Sequence, residues 1–234
     1  MTPLRIEALI FDKDGTLFDF RASWGAWTES LLAELAPGQG AAELAAVLGY
    51  GPGRHQFAPG SPVIAMTTPE IADLLLPHLP GVSPADLNAR LNALAAAAPM
   101  VPAVDLPLVL GGLRARGLHL GLATNDTETP ARTHLGRAGV LELFSFVAGC
   151  DSGFGGKPAP GQLLAFLNHT GLTAQKVAMV GDSRHDLEAG RAAGMWRVAV
   201  LTGVAEAADL APHADVVLPD ISHLAAWIDN LPSR

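Results

Sequence analysis

Short apolar runs recur along most of the chain and limit its possible folds more strongly than any other feature. They lie at residues 8–11, 118–123, 146–148, 177–180, 198–201 and 215–218. Within each run the apolar residues follow one another and do not alternate with polar ones. Strands buried on both faces have this character, so we expect a parallel sheet covered on each side by helices.

Helical patterns fill the intervals between these runs. They cover residues 106–116, 160–169, 186–193 and 222–230. A further helix is predicted to open with Thr129 as N-cap and Pro130 in the first helical position, and to run to about Ala138. Because strand and helix alternate, the fold class is predicted to be α/β, with a doubly wound parallel Rossmann-like sheet.

The chain from about residue 21 to residue 98 departs from this alternation. It has helical patterns at 23–35, 43–48, 69–76 and 83–98, and no run typical of a buried strand. An all-helical cap domain inserted after the first strand is therefore expected. The predicted division is an α/β core of residues 1–18 and 104–234 and a cap of residues 19–103, with hinges near 17–20 and 99–107.

The net charge and the pattern of apolar segments argue against nucleic-acid binding, a membrane span and secretion. The net charge of −8 argues against nucleic acid, which requires a basic surface. The apolar stretch 91–104 is short and broken by Pro99 and Pro102, so no membrane span is expected. Residues 1–7 lack the pattern of a signal peptide. With Cys150 as the single cysteine, these features favour a cytoplasmic protein without disulfides.

Polar residues follow four of the predicted strands, where open α/β sheets bind their ligands. The four segments are Asp12-Lys13-Asp14-Gly15-Thr16, Thr124-Asn125-Asp126, the loop containing Gly156-Lys157-Pro158, and Gly181-Asp182-Ser183-Arg184-His185-Asp186. A single aspartate at a strand end is often only a turn residue. Four such segments in succession favour a shared site.

The residue types in these segments suit phosphoryl transfer. A carboxylate such as Asp12 attacks an anionic phosphate only when charge is neutralised, and Mg²⁺ prefers oxygen ligands such as those of Asp12 and Asp182. Thr124 and Lys157 could hold the remaining phosphoryl oxygens. Asp14 could protonate the leaving oxygen and then activate water.

These four segments, in this order, resemble the four motifs of the haloacid dehalogenase-like hydrolase superfamily, and the insertion resembles its type C1 cap. The most similar members are phosphoglycolate phosphatase-like. The resemblance implies a nucleophile at Asp12, an acid/base at Asp14 and a phosphate site. It also implies Mg²⁺ held by Asp12, the Asp14 carbonyl, Asp182 and Asp186. The phosphate-binding residues would be Thr124, Asn125 and Lys157.

Two positions differ from the usual pattern of the superfamily. Lys13 stands where an apolar residue is more common, and strand alternation predicts that it points away from Asp12 in a structural role. Phe20 stands where a small polar residue is common.

In the cap, Arg54 and His55 lie in a glycine-rich loop that could select the substrate or could be a plain connection. Trp24 and Trp27 are interpreted as cap core in preference to a substrate platform.

The predicted function is a magnesium-dependent phosphatase acting on a small phosphorylated metabolite, as a monomer or homodimer. A sugar-phosphate phosphomutase is the alternative, because it uses the same aspartyl-phosphate. A dehalogenase would not need Asp14, and a non-enzymatic binding module would be expected to lack some of the motif residues. The sequence leaves the physiological substrate open.

Overall fold

The structure of the protein is a computed structural model that describes residues 6–36, 40–51, 56–58 and 60–231. Its strands are β1 (Ala8–Phe11), β2 (Tyr50–Gly51), β3 (Gln56–Phe57), β4 (His119–Ala123), β5 (Phe146–Ala148), β6 (Val177–Gly181), β7 (Trp196–Val200) and β8 (Val216–Leu218). Within the described ranges, every helix is too short or too polar to cross a membrane.

Six strands form one parallel sheet in the order β5-β4-β1-β6-β7-β8. In this register Phe11, the last residue of β1, lies beside Leu122 on one side and Val180 on the other. The strand order reverses at β1, because the chain first adds strands on one side and then on the other. The fold class predicted from the apolar runs is confirmed, and β1 lies at the point where such sheets bind ligands.

The helices are α1 (Phe20–Leu35), α2 (Gly40–Val47), α3 (Pro62–Ala65), α4 (Thr68–Leu75), α5 (Pro84–Ala97), α6 (Leu106–Ala115), α7 (Glu128–Arg137), α8 (Gly161–Thr170), α9 (Arg184–Ala193), α10 (Ala207–Leu210) and α11 (Leu224–Asp229). Short 3₁₀ turns cover Leu76–His78, Leu141–Leu143, Ala174–Lys176 and Ile221–His223. Helices α6 to α11 belong to the part of the chain that forms the large sheet, and α1 to α5 lie in the insertion.

The start of α7 differs from the prediction. The N-cap is Thr127 and not Thr129, because the backbone of Thr127 is extended and the next N–H, of Glu128, donates to Asp151 Oδ1 at 2.8 Å. A carboxylate at the first turn stabilises a helix start there. Pro130 therefore lies in the third helical position.

The inserted segment packs around its own apolar cluster, which includes Trp24, Leu31, Leu75 and Leu91. It is not entirely helical as predicted, because β2 and β3 pair as a short antiparallel ribbon. The ribbon is supported by aromatic packing, since the Tyr50 and Phe57 ring centroids lie 5.1 Å apart.

The two connections between the insertion and the core lie side by side. The backbone N–H of Asp19 donates to the carbonyl of Val101 at 2.8 Å, and that of Ala103 donates to the carbonyl of Leu17 at 3.0 Å. Helix α5 also packs against α7, where Arg137 Nη1 donates to the carbonyl of Ala96 at 2.7 Å. Residues of the insertion line one cavity together with Asp12, Thr124 and Asp182, so the insertion lies over the carboxyl ends of the strands.

Candidate active site

Three carboxylates from two strand ends meet at the centre of the sheet edge. Asp12 follows β1, Asp182 follows β6, and Asp186 lies in the first turn of α9. One oxygen from each lies within 4.8 Å of the others, and all three side chains are buried. The fold holds Asp186 in place because Ser183 caps α9. The Ser183 backbone N–H donates to Asp186 Oδ2 at 3.0 Å.

Lys157 is the cation of this cluster. Its Nζ lies 2.5 Å from Asp12 Oδ1 and 2.7 Å from Asp186 Oδ1, and it also donates to the carbonyl of Ala123 at 2.7 Å. Burial opposes the charged form, but the two carboxylates outweigh it and raise the pKa of Lys157. An ammonium held in this way can donate to phosphoryl oxygens as well as to the carboxylates.

Negative charge exceeds positive charge in this cluster. Burial raises the pKa of Asp12 to about 7, and Asp186 and Asp14 add to the rise, while Lys157 opposes it. Burial also raises the pKa of Asp182 well above its usual range, with Asp12 and Asp186 contributing. Three carboxylates against one ammonium leave room for a hard divalent cation, which oxygen ligands of this kind favour.

Two glycines allow the backbone to pass close to Asp182. A Cβ on Gly15 would lie 2.3 Å from Asp182 Oδ2, and a Cβ on Gly203 would lie 1.7 Å from the same oxygen. Gly15 also has φ of +89°, which favours glycine. Neither Gly203 nor Thr202, which donates to the Gly15 carbonyl at 2.6 Å, was singled out from the sequence. Both residues follow β7 at the same sheet edge, and this position is the feature of the sequence that could have identified them.

Asp14 lies beside this cluster, with its carboxylate turned to a different lysine. Its Oδ2 is 3.1 Å from Lys13 Nζ, and its Oδ1 is buried without a hydrogen-bond partner. Burial raises the pKa of Asp14, Lys13 opposes this, and Asp126 adds to it. A carboxyl group that retains a proton more readily than usual suits an acid that later acts as a base.

Lys13 points to the side of β1 opposite Asp12, in the direction that strand alternation predicts. It is fully buried, and its Nζ lies 2.7 Å from Asp126 Oδ2 and 2.9 Å from His134 Nδ1. A purely structural interpretation is incomplete, however, since Lys13 also contacts Asp14. Asp126 is thus a partner of Lys13, and the residue after it, Thr127, is the N-cap of α7.

Thr124 and Asn125 lie at the end of β4. The Asn125 side chain exchanges two hydrogen bonds with the backbone of Lys157, accepting from its N–H at 2.8 Å and donating to its carbonyl at 2.9 Å. It therefore fixes the loop that carries Lys157. Thr124 Oγ1 accepts the N–H of Asp126 at 3.0 Å, and its hydroxyl proton can still be donated to a ligand.

Known proteins share this architecture. A family model described as haloacid dehalogenase-like hydrolase matches residues 6–194. The chain belongs to this family. A phosphoglycolate phosphatase of Rhodospirillum rubrum is 32% identical over 236 residues, covering 95% of this chain and 90% of the relative. The predicted family and the predicted enzyme class, a phosphoglycolate phosphatase-like hydrolase of the haloacid dehalogenase-like type, are thus confirmed.

Solved structures of low sequence identity agree on the fold of this haloacid dehalogenase-like hydrolase. CbbY from Rhodobacter sphaeroides, solved in complex with phosphate, gives a TM-score of 0.70 at 20% identity, covering 96% of this chain and 99% of that chain. A β-phosphoglucomutase from Clostridium difficile gives 0.65 at 17% identity, covering 96% of each. At these identities the likeness concerns the fold alone.

A cavity of about 70 Å³ separates the insertion from the carboxylate cluster of this hydrolase. Asp12, Asp14 and Lys157 are among the residues of its floor, and the insertion supplies the opposite wall. Trp24 and Trp27, which the sequence predicts to be cap core, do belong to the apolar cluster of the insertion, but both also line the cavity. His185 lines it as well, whereas Arg54 and His55 lie outside the described residues.

Proposed function

We propose that this hydrolase is a magnesium-dependent phosphatase that removes phosphate from a small phosphorylated metabolite through an aspartyl-phosphate on Asp12. The observation that carries the proposal is the buried floor of the cavity. There Asp12, Asp182 and Asp186 face one ammonium, from Lys157, and Asp14 lies beside them. The named activity of the Rhodospirillum rubrum relative supports the same reaction.

In the first step, Asp12 attacks phosphorus as its carboxylate, and the bond from phosphorus to the leaving oxygen breaks. Asp14 gives its proton to that oxygen, so the product leaves as a neutral hydroxyl group. Lys157 and the Thr124 hydroxyl donate to the equatorial oxygens, where charge develops. The Asn125 side chain keeps Lys157 in position through the two bonds to its backbone.

In the second step, Asp14, now ionised, takes a proton from water as the water attacks the aspartyl-phosphate. The bond between phosphorus and the Asp12 oxygen breaks, which releases phosphate and regenerates both aspartates. The residues that would hold Mg²⁺ are Asp12, Asp182 and Asp186, with the Asp14 carbonyl. When bound, the ion would offset the repulsion between the Asp12 carboxylate and the phosphate ester.

The experiment is a phosphate-release assay with a panel of phosphorylated metabolites. Activity should require Mg²⁺, disappear with EDTA and return when Mg²⁺ is restored. Asp12→Asn should lower the rate by about 10⁴-fold or more, because the nucleophile is lost. Asp73→Asn, at an exposed aspartate of the cap, is the matched control and should leave the rate unchanged. Full activity in Asp12→Asn would exclude this mechanism.

The covalent intermediate can be sought directly. In Asp14→Asn, acid-quenched mass spectrometry should detect a protein carrying one phosphoryl group, because water is no longer activated to remove it. The double variant with Asp12→Asn should not carry it. Incubation with glucose 1-phosphate separates the phosphomutase alternative, since a phosphatase releases free phosphate and a mutase forms glucose 6-phosphate.

We also propose that residues 19–103 act as the cap that closes over the substrate.

A further inference from the structure

Asp182 lies in a narrow slot between two stretches of backbone. Gly15, in the turn after β1, forms one wall, and Gly203, in the loop after β7, forms the other. A Cβ on Gly15 would lie 2.3 Å from Asp182 Oδ2, and a Cβ on Gly203 would lie 1.7 Å from the same oxygen. Only glycine allows the backbone to pass this close to a carboxylate on both sides. The direction in which Asp182 points therefore depends on where the two walls lie.

One side-chain hydrogen bond joins the two walls. Thr202, the residue before Gly203, donates its hydroxyl proton to the carbonyl of Gly15 at 2.6 Å. This carbonyl belongs to the same planar peptide group as the N–H of Thr16, so the bond fixes the plane of that peptide. Thr16 is fully buried and donates from Oγ1 to Asp182 Oδ1 at 3.2 Å. The Thr202 hydroxyl thus sets the distance between the walls and orients a residue that donates to the carboxylate.

The turn that contains Gly15 is shaped mainly by its own backbone. The N–H of Gly15 donates to the carbonyl of Phe18 at 2.8 Å, and the N–H of Leu17 donates to the carbonyl of Lys13 at 2.9 Å. These bonds do not tie the turn to β7. Among the residues that the structure describes, the Thr202 bond is the one hydrogen bond between this turn and the loop after β7.

The loop after β7 is held in place by other contacts as well. The N–H of Leu201 donates to the carbonyl of Pro219 at 3.1 Å, and Val204 packs against the apolar cluster of the insertion. Thr202 itself is half-buried. A variant without the hydroxyl should therefore keep the loop and lose only the bond to Gly15.

The orientation of Asp182 matters because it is one of the three clustered carboxylates. Mg²⁺ requires nearly ideal octahedral geometry, so its affinity depends on the direction of each ligand oxygen. Groups that orient metal ligands without touching the metal typically change the affinity by about 10- to 100-fold. A hydroxyl that holds the slot around Asp182 is such a group.

We propose that Thr202 is a positioning residue of the metal site, where its hydrogen bond to the Gly15 carbonyl holds the slot in which Asp182 presents an oxygen to a divalent cation. This role rests on the proposed function, which gives the cation its task. Thr202 lies outside the described lining of the cavity, so it acts through Asp182 and not on the substrate.

The main test is metal binding without substrate. Thr202→Val removes the hydroxyl at nearly the same size, and Mn²⁺, which favours the same oxygen ligands as Mg²⁺, can be titrated by EPR of the free ion. The dissociation constant for Mn²⁺ should rise by about fivefold or more in Thr202→Val. Thr202→Ser keeps the hydroxyl and should stay within about twofold of the wild type. An unchanged constant in Thr202→Val, or an equal rise in both variants, would overturn the inference.

Thr133 supplies a matched control on α7. Its hydroxyl donates to the carbonyl of Thr129 at 2.9 Å, so Thr133→Val removes a bond of the same kind away from the carboxylates. The dissociation constant for Mn²⁺ should not change in this variant, and urea denaturation should show that all the variants are folded. A rise as large as that in Thr202→Val would mean that loss of any such hydroxyl weakens the site, and would overturn the positioning role.

Steady-state kinetics should separate the metal from the substrate. In Thr202→Val the Mg²⁺ concentration for half-maximal phosphate release should rise by about fivefold or more, while KM for the best ester of the panel stays within about twofold. At saturating Mg²⁺, kcat should return to within about threefold of the wild type, because Asp12, Asp14 and Lys157 are unchanged. A lower kcat with an unchanged requirement for Mg²⁺ would overturn the inference, since the hydroxyl would then act on the reacting groups.

The metal titration also separates this role of Thr202 from the proposed function, because it requires no turnover. If the wild type hydrolyses phosphate esters and Thr202→Val binds Mn²⁺ as the wild type does, the positioning role alone fails. If Mn²⁺ binding depends on Thr202 as expected and no phosphate ester is hydrolysed, the proposed function alone fails. A wild type that does not bind Mn²⁺ or Mg²⁺ would overturn both.

Discussion

Two buried lysines lie on opposite sides of the end of β1. Each contacts two carboxylates, but the other groups around the two lysines differ. Lys157 contacts Asp12 and Asp186, and Lys13 contacts Asp14 and Asp126. Each is buried, and in each case the neighbouring carboxylates raise the pKa of the ammonium against the effect of desolvation.

The difference lies in what completes each cluster. Around Lys157 a third carboxylate, from Asp182, leaves excess negative charge at the floor of the cavity. Around Lys13 the further neighbours are the Trp24 ring, whose centroid lies 5.3 Å from Nζ, and His134, whose Nε2 lies 2.8 Å from the carbonyl of Ala95 in the cap. The first cluster is therefore suited to a cation and an anionic substrate, and the second to joining the core, Asp14 and the cap.

Removal of Lys157 should have the largest effect on activity. Lys157→Met should lower the rate of phosphate release by about 10³-fold, because a donor to the developing charge is lost. Binding of Mg²⁺ should persist, since the carboxylates remain and lose their competing cation. Isothermal titration with Mg²⁺, beside the rate assay, checks both. Near-normal turnover would mean that the two lysine clusters do not differ in the proposed way.

Removal of Lys13 should act mainly on stability. Lys13→Met leaves Asp14 and Asp126 buried without their cation, which should lower the free energy of unfolding by about 3 kcal/mol. Urea denaturation measures this. The double variant Lys13→Met/Asp126→Asn should recover part of the loss, because one of the unpaired charges is removed. A loss below about 1 kcal/mol would contradict the argument.

The pH dependence of stability should report on His134. Burial, and then Lys13, lowers its pKa from 6.5 to about 4, although Asp126 and the Ala95 carbonyl favour the protonated form and Arg137 opposes it. Between these values the unfolded chain binds the proton more readily, so the free energy of unfolding falls as pH is lowered from about 6.5 towards 4.

Between about pH 6.5 and pH 4, protonation of His134 alone should lower the free energy of unfolding by about 3 kcal/mol. Other groups titrate as well, so the comparison is with His134→Gln, which cannot gain a proton. Urea denaturation at several pH values should give a smaller fall for the variant. Identical pH profiles would show that His134 is not kept neutral by its surroundings.

Replacement of an exposed lysine should give the smallest change in the free energy of unfolding, and it serves as the reference for the buried lysines. Lys176 pairs with Glu7 at 2.7 Å, and its side chain is 43% exposed. Lys176→Met should change the free energy of unfolding by about 0.5 kcal/mol or less, because exposed pairs are weak. A loss as large as that in Lys13→Met would show that burial is not what distinguishes the two sites.

The sequence predicts the sheet and its edge better than it predicts the insertion. Apolar runs ending in aspartates identify both the sheet and the residues along its edge, because strand order and strand ends determine what meets there. The contacts of Lys13 were harder to foresee. Alternation predicts its direction, but Asp126 and His134 are more than a hundred positions away and have no motif of their own.

The wall that the insertion contributes to the cavity could not be predicted, for a different reason. Helical periodicity indicates that Trp24 and Trp27 are buried, but it does not separate burial in a core from burial beside a cavity. Both are true here. The paired ribbon of β2 and β3 was also missed, since strands of two residues leave no periodic signal.

The adjoining connections at Leu17–Asp19 and Val101–Ala103 have an evolutionary consequence. The insertion begins and ends at one place, where a pair of hydrogen bonds joins the outgoing and returning chains. A segment of different sequence or size could be exchanged there with little change in the distance that the core must close. Under the proposed role of the insertion as a cap, selectivity and chemistry are separable by descent, and a lineage can acquire a new substrate by rewriting one contiguous stretch of its gene.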